Sequence, residues 1–364
     1  MWLIAFSLII CFLYLILISV FIIGWEKTSD FEPNGNESVD IKISVVIPCR
    51  NEEHHLRRLL SSLAQQSYRN FELIFVNDHS TDTTKKIIEK VQPEFSNLRL
   101  IDATGFGKKN ALKEGIKITT GNLIVTTDAD CIPSFLWLES IACFQNDSPG
   151  DLIICPVKLS VNSSLLSSLQ TLEFISLVAS GAGAAGAGMP ILCNGANLAF
   201  TKETWLTSQA DLHEEVLSGD DIFLLESVKK RGGIIRFLKS ESAFVVTDPA
   251  QSFSAFLHQR RRWASKSPSF TDWQLILTAC IVFTISLLPF LLIGFSVCNS
   301  QFWSFVLLVF GFKYLLDTSF LYSVRVFFQL KHVWIYSFLL SLVYPFYIVL
   351  VSVSSLILKP KSWN

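Results

Sequence analysis

The sequence contains no pair of cysteines separated by two residues, and this absence limits the chemistry open to it. Its eight cysteines are scattered without the spacing of a metal site or a redox pair. We therefore interpret them as small apolar side chains in a reducing compartment. The phosphate-binding pattern GxxxxGK[S/T] is also missing, which argues against a nucleotide-driven transporter. The net charge is −1, and nothing in it indicates a nucleic-acid partner.

Charged side chains are absent from the first 25 residues. A cleaved signal peptide needs a basic amino-terminal region and a small-residue cleavage site, and this stretch has neither. Its apolar run is long enough to cross a bilayer as a helix, so we predict a retained transmembrane helix. Three more apolar stretches predict spans near the carboxyl terminus, at about 275–297, 302–322 and 333–358.

Basic residues beside these spans predict their orientation by the positive-inside rule. Four of them precede the second predicted span: Arg260, Arg261, Arg262 and Lys266. They place residues 26–272 in the cytosol and the amino terminus outside. The uncharged loop 298–301 then lies outside, and the basic residues after the third span lie inside. Lys359 and Lys361 would lie outside, where they fit the rule least well.

Two charges lie within a predicted span. Lys313 and Asp317 are four residues apart and therefore share one face of a helix. Charges at membrane depth are costly and are usually paired. We favour an intrahelical ion pair, and contact with a translocating or lipid-linked product is the alternative.

These features divide the chain into five parts. The polar stretch after the first span contains Pro, Gly, Asn and Ser and is typical of a flexible spacer. The residues that follow have the mixed composition of one soluble domain of ordinary size. An apolar helix predicted at 165–179 suits the bilayer interface. We predict a transmembrane helix at 1–25, a linker at 26–40, an α/β domain at 41–250, an interfacial segment at 251–272 and a transmembrane region of about three helices at 273–364.

Strand-like and helix-like stretches alternate in the first part of the α/β domain. Short apolar runs rich in β-branched residues predict buried strands. The strands are predicted at 43–48, 71–77, 98–102 and 122–127, and the helices at 52–66, 82–91 and 109–118. This alternation indicates an α/β fold with a mostly parallel, Rossmann-like, doubly wound sheet. Such sheets bind ligands beyond the carboxyl ends of their strands.

Acidic residues stand at those positions. Asp78 follows the second predicted strand, Asp128 and Asp130 follow the fourth, and Asp220 and Asp221 open a later helix. One such cluster is often a turn or a helix cap, but three in one domain indicate a site. The DxD spacing of Asp128 and Asp130 suits Mg²⁺ or Mn²⁺ that also binds a diphosphate. A separate carboxylate suits proton removal from an attacking hydroxyl.

Basic residues accompany the carboxylates. Lys108 and Lys109 open a helix, where a cation and backbone N–H groups can face a phosphate; a solvated lysine pair is the alternative. The stretch 256–263 is basic and aromatic and lies just before a predicted span. Its arginines partly serve as the positive-inside flank, but that role does not explain Gln259 and Trp263.

In this order the motifs resemble those of the family 2 glycosyltransferases with a GT-A fold. The resemblance is to the membrane-integrated branch with cellulose, chitin, hyaluronan and poly-N-acetylglucosamine synthases, and it covers about residues 43–265. It implies a GT-A catalytic domain and a nucleotide sugar donor, here a UDP-sugar. The residues it implies for donor binding are Pro48, Arg50, Asn51, Glu52, Asp78, Lys108, Asp128, Gln259, Arg262 and Trp263.

The same resemblance assigns the other roles. It implies metal binding by Asp128 and Asp130, and general base catalysis by Asp221 with Asp220 beside it. Gln259, Arg262 and Trp263 match the family's QxxRW motif, which helps to hold the diphosphate and the acceptor. The acceptor residues it implies are Gly195, Ala196, Asn197 and Trp263. The chain departs from the family in having Asn77 where a second aspartate is usual, and in having only about four predicted spans.

Three functions remain open at this level. The first is an inverting hexosyltransferase that extends a glycan acceptor in polysaccharide biosynthesis, at the cytosolic face of a bacterial-type plasma membrane. The second is a lipid glycosyltransferase resembling ceramide glucosyltransferases, which share a (Q/R)xxRW motif. The third is an inactive membrane scaffold or carbohydrate-binding subunit, and the presence of Asp128, Asp130 and Asp221 argues against it. Membrane lipids are the surroundings in each case, and the sequence indicates no protein partner.

Overall fold

A computed structural model describes residues 2–34, 39–160, 164–213 and 219–357, with the side chains of residues 356 and 357 left out. The chain forms two compact units, which we call the helical unit and the α/β unit. The helical unit takes its described residues from 1–27, 161–191 and 249–360, and the α/β unit takes its own from 28–160 and 192–248. The predicted α/β domain at 41–250 therefore includes a segment that belongs to the helical unit. Part of the predicted linker, and Lys359 and Lys361, lie outside the described residues.

The elements are numbered in chain order. The helices are α1 (Trp2–Lys27), α2 (Leu56–Ala64), α3 (Thr84–Val91), α4 (Lys108–Lys117), α5 (Trp137–Asp147), α6 (Leu165–Gly186), α7 (Lys202–Ser208), α8 (Asp220–Lys230), α9 (Phe253–Ala264), α10 (Trp273–Cys298), α11 (Phe302–Val324) and α12 (Val333–Ile357). The strands are β1 (Ile43–Cys49), β2 (Phe71–Asn77), β3 (Leu98–Asp102), β4 (Leu123–Thr126), β5 (Ile132–Pro133), β6 (Leu152–Ile154), β7 (Val157–Leu159), β8 (Leu198–Thr201), β9 (Ile235–Phe237) and β10 (Val245–Thr247).

The α/β unit is built on a seven-stranded sheet of order β3-β2-β1-β4-β8-β6-β9. The first four strands are parallel, as the alternation in the sequence predicts. Every residue of β1 and β2 is buried, which is typical of parallel strands covered on both faces. Strand β8 runs antiparallel to both of its neighbours, so the complete sheet is mixed. The predicted α/β fold class is confirmed.

Helix α4 lies very close to the sheet because Gly115 has no side chain. A Cβ atom at this position would lie 2.7 Å from Cγ1 of Val46 and 2.8 Å from Cγ2 of Val76. Only glycine therefore permits this approach. The close packing of α4 on β1 and β2 fixes its first residue, Lys108, at the carboxyl end of these strands.

A second sheet of three strands, in the order β5-β10-β7, completes the α/β unit. Strand β10 is parallel to β7 and antiparallel to β5. Strand β5 begins at Ile132, two residues after Asp130 of the DxD motif. Because β10 pairs with β5, Thr247 at the end of β10 lies close to Asp130.

Among the residues that the structure describes, five helices of the helical unit are long and apolar enough to cross a membrane: α1, α6, α10, α11 and α12. Four of them coincide with the predicted spans. The fifth, α6, is longer than the helix predicted at 165–179, because it continues through the stretch 180–186, which is rich in glycine and alanine. Small residues there allow α1 and α6 to touch: a Cβ atom at Gly24 would lie 1.8 Å from the carbonyl oxygen of Gly183.

One set of polar side chains pairs across helices of the helical unit. Lys313 forms an ion pair with Asp317, as the spacing in the sequence predicts. The hydroxyl of Tyr14 donates a second hydrogen bond to Asp317. The Lys313 ammonium also lies 4.9 Å from the ring centre of Tyr344. The contacts of Tyr14, Lys313, Asp317 and Tyr344 thus connect helices α1, α11 and α12.

Candidate active site

The carboxyl ends of β1, β2 and β4 meet at one edge of the main sheet, because these strands are parallel neighbours. Arg50 follows β1, Asp78 follows β2, and Asp128 follows β4 after one residue. Lys108 reaches the same edge from the start of α4. This is the place where ligands bind to open α/β sheets.

Asp78 is fully buried at this edge. Its carboxylate accepts a hydrogen bond of 3.0 Å from the backbone N–H of Gly107, and the Arg50 guanidinium lies 3.7 Å away. Nδ1 of His79 lies 3.1 Å from the other carboxylate oxygen. Within the described residues, the buried Nε of Arg50 has no hydrogen-bond partner. Buried N–H groups are rarely left unpaired, so this donor suits a ligand that reaches Asp78 and Arg50 together.

The ring of His79 stacks on Phe106, with 4.0 Å between the ring centres. Phe106 is 74% exposed, which is unusual for a large apolar side chain next to a polar cluster. The loop that carries Phe106 is held by Glu114, which accepts hydrogen bonds from the backbone N–H groups of Thr104 and Gly105. These hydrogen bonds lower the pKa of Glu114 to about 2, against the opposing effect of burial. An exposed aromatic surface therefore lies beside His79 and Asp78.

The two carboxylates of the DxD motif have different surroundings. Asp128 forms an ion pair of 2.5 Å with the ammonium of Lys108. Asp130 accepts a hydrogen bond of 3.2 Å from the hydroxyl of Thr247. Burial and the charge of Asp128 raise the pKa of Asp130, and burial together with the charge of Asp130 raises the pKa of Glu52. Negative charge is therefore concentrated here, and a cation would relieve it.

Lys108 is the cation that the chain itself supplies. Burial opposes its charged form, but the carboxylates of Asp128, Asp220 and Asp221 outweigh burial and raise the pKa of Lys108 above its ordinary value. The lysine is therefore charged at neutral pH. It connects the DxD motif to the start of α8.

Asp221 lies in the first turn of α8. One of its carboxylate oxygens accepts a hydrogen bond of 3.1 Å from the backbone N–H of Gly195, and the other accepts one of 2.9 Å from Ile222. A Cβ atom at Gly195 would lie 3.8 Å from both Nζ of Lys108 and Oδ2 of Asp221. The structure thus brings Lys108, Asp128, Asp221 and Gly195 together.

The side chain of Asp220 points to a different neighbour. Its carboxylate is 3.9 Å from the ammonium of Lys109. The same ammonium donates hydrogen bonds to the carbonyl oxygens of Leu212 and His213. Lys109 therefore holds Leu212 and His213 near Asp220, whereas Asp221 and Lys108 lie near the DxD motif.

The predicted acceptor residues of the α/β unit lie in the loop before β8. Asn197 is fully buried, and its amide group has three protein partners: the indole of Trp137 and the carbonyl oxygens of Pro156 and Ala243. Asn197 therefore shapes the loop from within. The backbone of Gly195 and of the buried Ala196 forms the part of the loop beside Asp221.

The remaining predicted donor residues support the loop after β1. Pro48 is buried within β1 opposite Val76. Asn51 has a left-handed backbone conformation, with φ at 55°, and its side chain accepts a hydrogen bond of 2.8 Å from the N–H of Thr81. The carboxylate of Glu52 lies 2.8 Å from Nδ1 of His55. Asn51 thus connects the loops that follow β1 and β2.

The side chains at this sheet edge supply some of the ligands that a divalent metal ion needs. Asp128 and Asp130 supply oxygen ligands, which Mg²⁺ and Mn²⁺ prefer, and the Lys108 ammonium stands where a cation is attracted. No group of three or more metal-binding side chains occurs among the residues that the structure describes. A metal held here would therefore take its other ligands from a diphosphate and from water, as is usual for Mg²⁺.

Gln259, Arg262 and Trp263 lie on α9 in the helical unit. The side-chain oxygen of Gln259 accepts a hydrogen bond of 2.6 Å from Arg260. The rings of Trp263 and Phe174 lie 6.2 Å apart. The motif is thus held by neighbours within its own unit.

Several residues that hold predicted site residues or their loops in place carry no signal in the sequence. Thr247 reaches Asp130 only because β10 enters the second sheet. Glu114 accepts hydrogen bonds from the backbone of Thr104, 10 residues earlier in the chain. Arg260 lies inside the QxxRW motif at a position that the motif leaves free. A lone threonine or glutamate has many ordinary roles, so the three-dimensional structure is needed to identify these residues.

Comparison with known proteins supports the resemblance. Residues 44–181 match the family model described as "Glycosyl transferase family 2". Residues 123–352, more than half of the chain, match the model described as "Glycosyl transferase family group 2".

Two curated relatives match a smaller share of the chain. The glycosyltransferase GlyA of Streptococcus pneumoniae is 34% identical over 92 residues, which are 25% of this chain and 13% of GlyA. The poly-beta-1,6-N-acetyl-D-glucosamine synthase of Staphylococcus aureus is 29% identical over 141 residues, which are 37% of this chain and 33% of the synthase. The chain thus spans a third or less of the length of these relatives.

A solved structure shares the fold. The mannosyltransferase PcManGT of Pyrobaculum calidifontis, solved with GDP-Man and Mn²⁺, has a TM-score of 0.57 and 16% identity and covers 98% of both chains. At this identity the likeness shows the fold alone. The predicted GT-A class is confirmed in this respect.

Proposed function

This chain belongs to the family 2 glycosyltransferases, and we propose that it is an inverting enzyme that transfers a hexose from a UDP-sugar to a glycan acceptor at the cytosolic face of the membrane. The five long apolar helices of its described residues support placement in a membrane. The observation that carries the proposal is the convergence of Asp128, Lys108 and Asp221 from three different elements at one sheet edge.

Asp78 and Arg50 are proposed to bind the nucleoside. The buried Asp78 carboxylate would accept a hydrogen bond from the nucleoside, and the Nε of Arg50, which has no partner among the described residues, would donate one. The exposed ring of Phe106, stacked on His79, offers a surface for the base. An aspartate acceptor suits the imide N–H of uracil, and the choice of a uridine nucleotide over a guanosine one rests on the resemblance of Asp78 to the family's uridine-binding aspartate.

Lys108, Asp128 and Asp130 are proposed to face the diphosphate. A bound Mg²⁺ or Mn²⁺ would neutralise the charge that develops on the leaving diphosphate. Lys108 is charged at neutral pH and supplies a second positive group at the same place. Gln259, Arg262 and Trp263 are proposed, from the QxxRW motif, to hold the diphosphate and the acceptor.

Asp221 is proposed to be the general base. A base is needed because the acceptor hydroxyl must lose its proton as the new glycosidic bond forms. The two backbone N–H groups that bind its carboxylate, and its place at the start of α8, stabilise the ionised form. Direct attack from the side opposite the diphosphate inverts the anomeric centre and needs no enzyme nucleophile.

The test is a panel of UDP-sugars and GDP-mannose, offered to the full-length protein in detergent with Mn²⁺, with products identified by mass. We expect transfer from one UDP-sugar and retention of the product in the aqueous phase. Transfer from GDP-mannose alone would refute the donor assignment. A product that partitions into organic solvent would favour the lipid acceptor over the glycan, and no transfer from any donor would indicate an inactive subunit.

The cytosolic placement needs a separate experiment. Orientation by the positive-inside rule puts the native Cys298 outside and residue Asn34 inside. In intact cells, a membrane-impermeant maleimide should label Cys298 in the native chain. An Asn34→Cys variant that also carries Cys298→Ser should be labelled only after permeabilisation. Labelling of this variant in intact cells would reverse the proposed orientation.

A further inference from the structure

Arg260 occupies a variable position of the QxxRW motif, yet it is one of the most deeply buried charges of the helical unit. It is 3% exposed. Its Nε donates hydrogen bonds of 3.0 and 3.1 Å to the two carboxylate oxygens of Glu173, and its second terminal nitrogen also bonds Glu173. Glu173 on α6 is equally buried. A third helix joins them, since the hydroxyl of Tyr347 on α12 donates a hydrogen bond of 3.0 Å to Glu173.

The other side of the same guanidinium faces the motif. Its remaining terminal nitrogen donates a hydrogen bond of 2.6 Å to the side-chain oxygen of Gln259. Its plane lies 4.2 Å from the ring centre of Trp263 and 4.7 Å from that of Phe256. These two rings stand one turn after and one turn before Arg260 on α9, so the cation fills the space between them. One side chain therefore contacts two of the three motif residues.

Stability alone does not account for such a pair. Two buried charges lose much of their hydration, and replacing a buried ion pair with apolar residues often leaves stability unchanged or higher. A bidentate arginine–carboxylate pair does fix the orientation of the guanidinium plane. Here that orientation determines where the amide of Gln259 and the indole of Trp263 point.

We propose that Arg260, anchored by Glu173 and Tyr347, is a positioning residue that sets the orientation of Gln259 and Trp263 for transfer. This inference rests on the proposed role of the QxxRW motif. Arg260 does not contact the substrate in this scheme. It acts through its two neighbours, and only an arginine can hold both carboxylate oxygens and the amide at once.

The first test compares Arg260→Lys with Arg261→Lys in the full-length protein. The lysine at 260 keeps a positive charge beside Glu173, but its single ammonium cannot reproduce the fork. We expect kcat/KM to fall by about 10–100-fold, as for other residues that orient a reactive group, with the thermal unfolding midpoint little changed. Arg261→Lys is the matched control, because the Nε of Arg261 donates its hydrogen bond to Ser354 on α12. The kcat/KM of this variant should stay within about twofold of the native value.

The second test asks whether Arg260 acts through Gln259. If it does, the fold-decrease in kcat/KM of the double variant Gln259→Ala/Arg260→Lys is smaller than the product of the fold-decreases of the two single variants. Independent losses that multiply would overturn the inference. If Gln259→Ala and Trp263→Ala each transfer sugar at the native rate, the inference also fails, while the transferase function itself stands.

A third measurement needs no turnover. Protein labelled with 5-fluorotryptophan gives a resonance for Trp263 that is assigned by its loss in Trp263→Phe. Arg260→Lys should shift this resonance, because the guanidinium leaves the ring, and Arg261→Lys should not. A double variant, Glu173→Met/Arg260→Met, avoids an unpaired buried charge and should cause the same shift. An unchanged Trp263 resonance in both variants overturns the inference even if the protein transfers no sugar.

Discussion

Replacing Asp221 with asparagine is the most direct test of the proposed chemistry. The side chains have the same shape, but the amide cannot accept a proton. In the structure the carboxylate uses both oxygens as acceptors, for the N–H groups of Gly195 and Ile222. Asparagine keeps one acceptor oxygen and turns its NH₂ group towards the other donor. The folded protein should therefore lose one hydrogen bond to a charged group, worth about 1.5–3 kcal/mol.

The effect on turnover should be larger than the effect on stability. Loss of a general base costs about 10²–10⁴-fold in rate, which corresponds to about 3–5 kcal/mol in the activation free energy. UDP-sugar affinity should change by only a few-fold, because Asp221 contacts the acceptor and not the donor in this scheme. Initial rates with a radiolabelled UDP-sugar give kcat, and calorimetric titration of the same variant with UDP and Mn²⁺ gives donor affinity.

Asp220→Asn is the matched control for this experiment. It changes the neighbouring carboxylate of the same helix turn, which lies 3.9 Å from Lys109. We expect a rate loss of less than about tenfold, since the Asp220 carboxylate lies beside Lys109. If Asp221→Asn abolished UDP binding while the protein stayed folded, Asp221 would be a donor ligand. If Asp220→Asn instead caused the larger rate loss, Asp220 would be the base.

Three further predictions follow from the α/β unit. Asp130→Asn should abolish turnover and weaken Mn²⁺ binding in the presence of UDP, as measured by electron paramagnetic resonance; full turnover in excess chelator would contradict the metal site. Lys108→Met should strengthen Mn²⁺ binding without nucleotide, because Asp128 loses its partner, and should weaken UDP binding; unchanged binding of both would refute the role of Lys108. Burial alone would raise the pKa of Glu72. Hydrogen bonds from Ser44 and Thr120 and the charge of Arg99 outweigh burial and lower this pKa from 4.5 to about 2. The Glu72 carboxylate therefore stabilises the fold above about pH 4.5 and loses this contribution as the pH falls towards 2. The difference in unfolding temperature between the native protein and Glu72→Gln should therefore shrink over that pH range, and a constant difference would contradict the assignment.

Local patterns determined most of the elements of this protein. The apolar runs that form β1, β2 and β4 are buried on both faces, so their composition alone identifies them. The apolar lengths of α1, α10, α11 and α12 likewise identify them as candidate spans. The acidic residues at strand ends indicated a site for the same reason, since parallel strands finish at one edge.

The tertiary structure decided the direction of strand β8, the unit to which helix α6 belongs and the partners of distant residues, none of which a local sequence pattern indicates. Strand β8 is antiparallel because the chain returns to β4 after the long excursion through α6, and a four-residue strand has no intrinsic direction. Helix α6 belongs to the helical unit, although its sequence lies within the α/β domain in chain order. The partner of Arg260 is Glu173, 87 residues earlier in the chain. Pairing between distant residues depends on how helices and strands pack, and a single sequence read in short windows contains the propensities of these elements but not their packing.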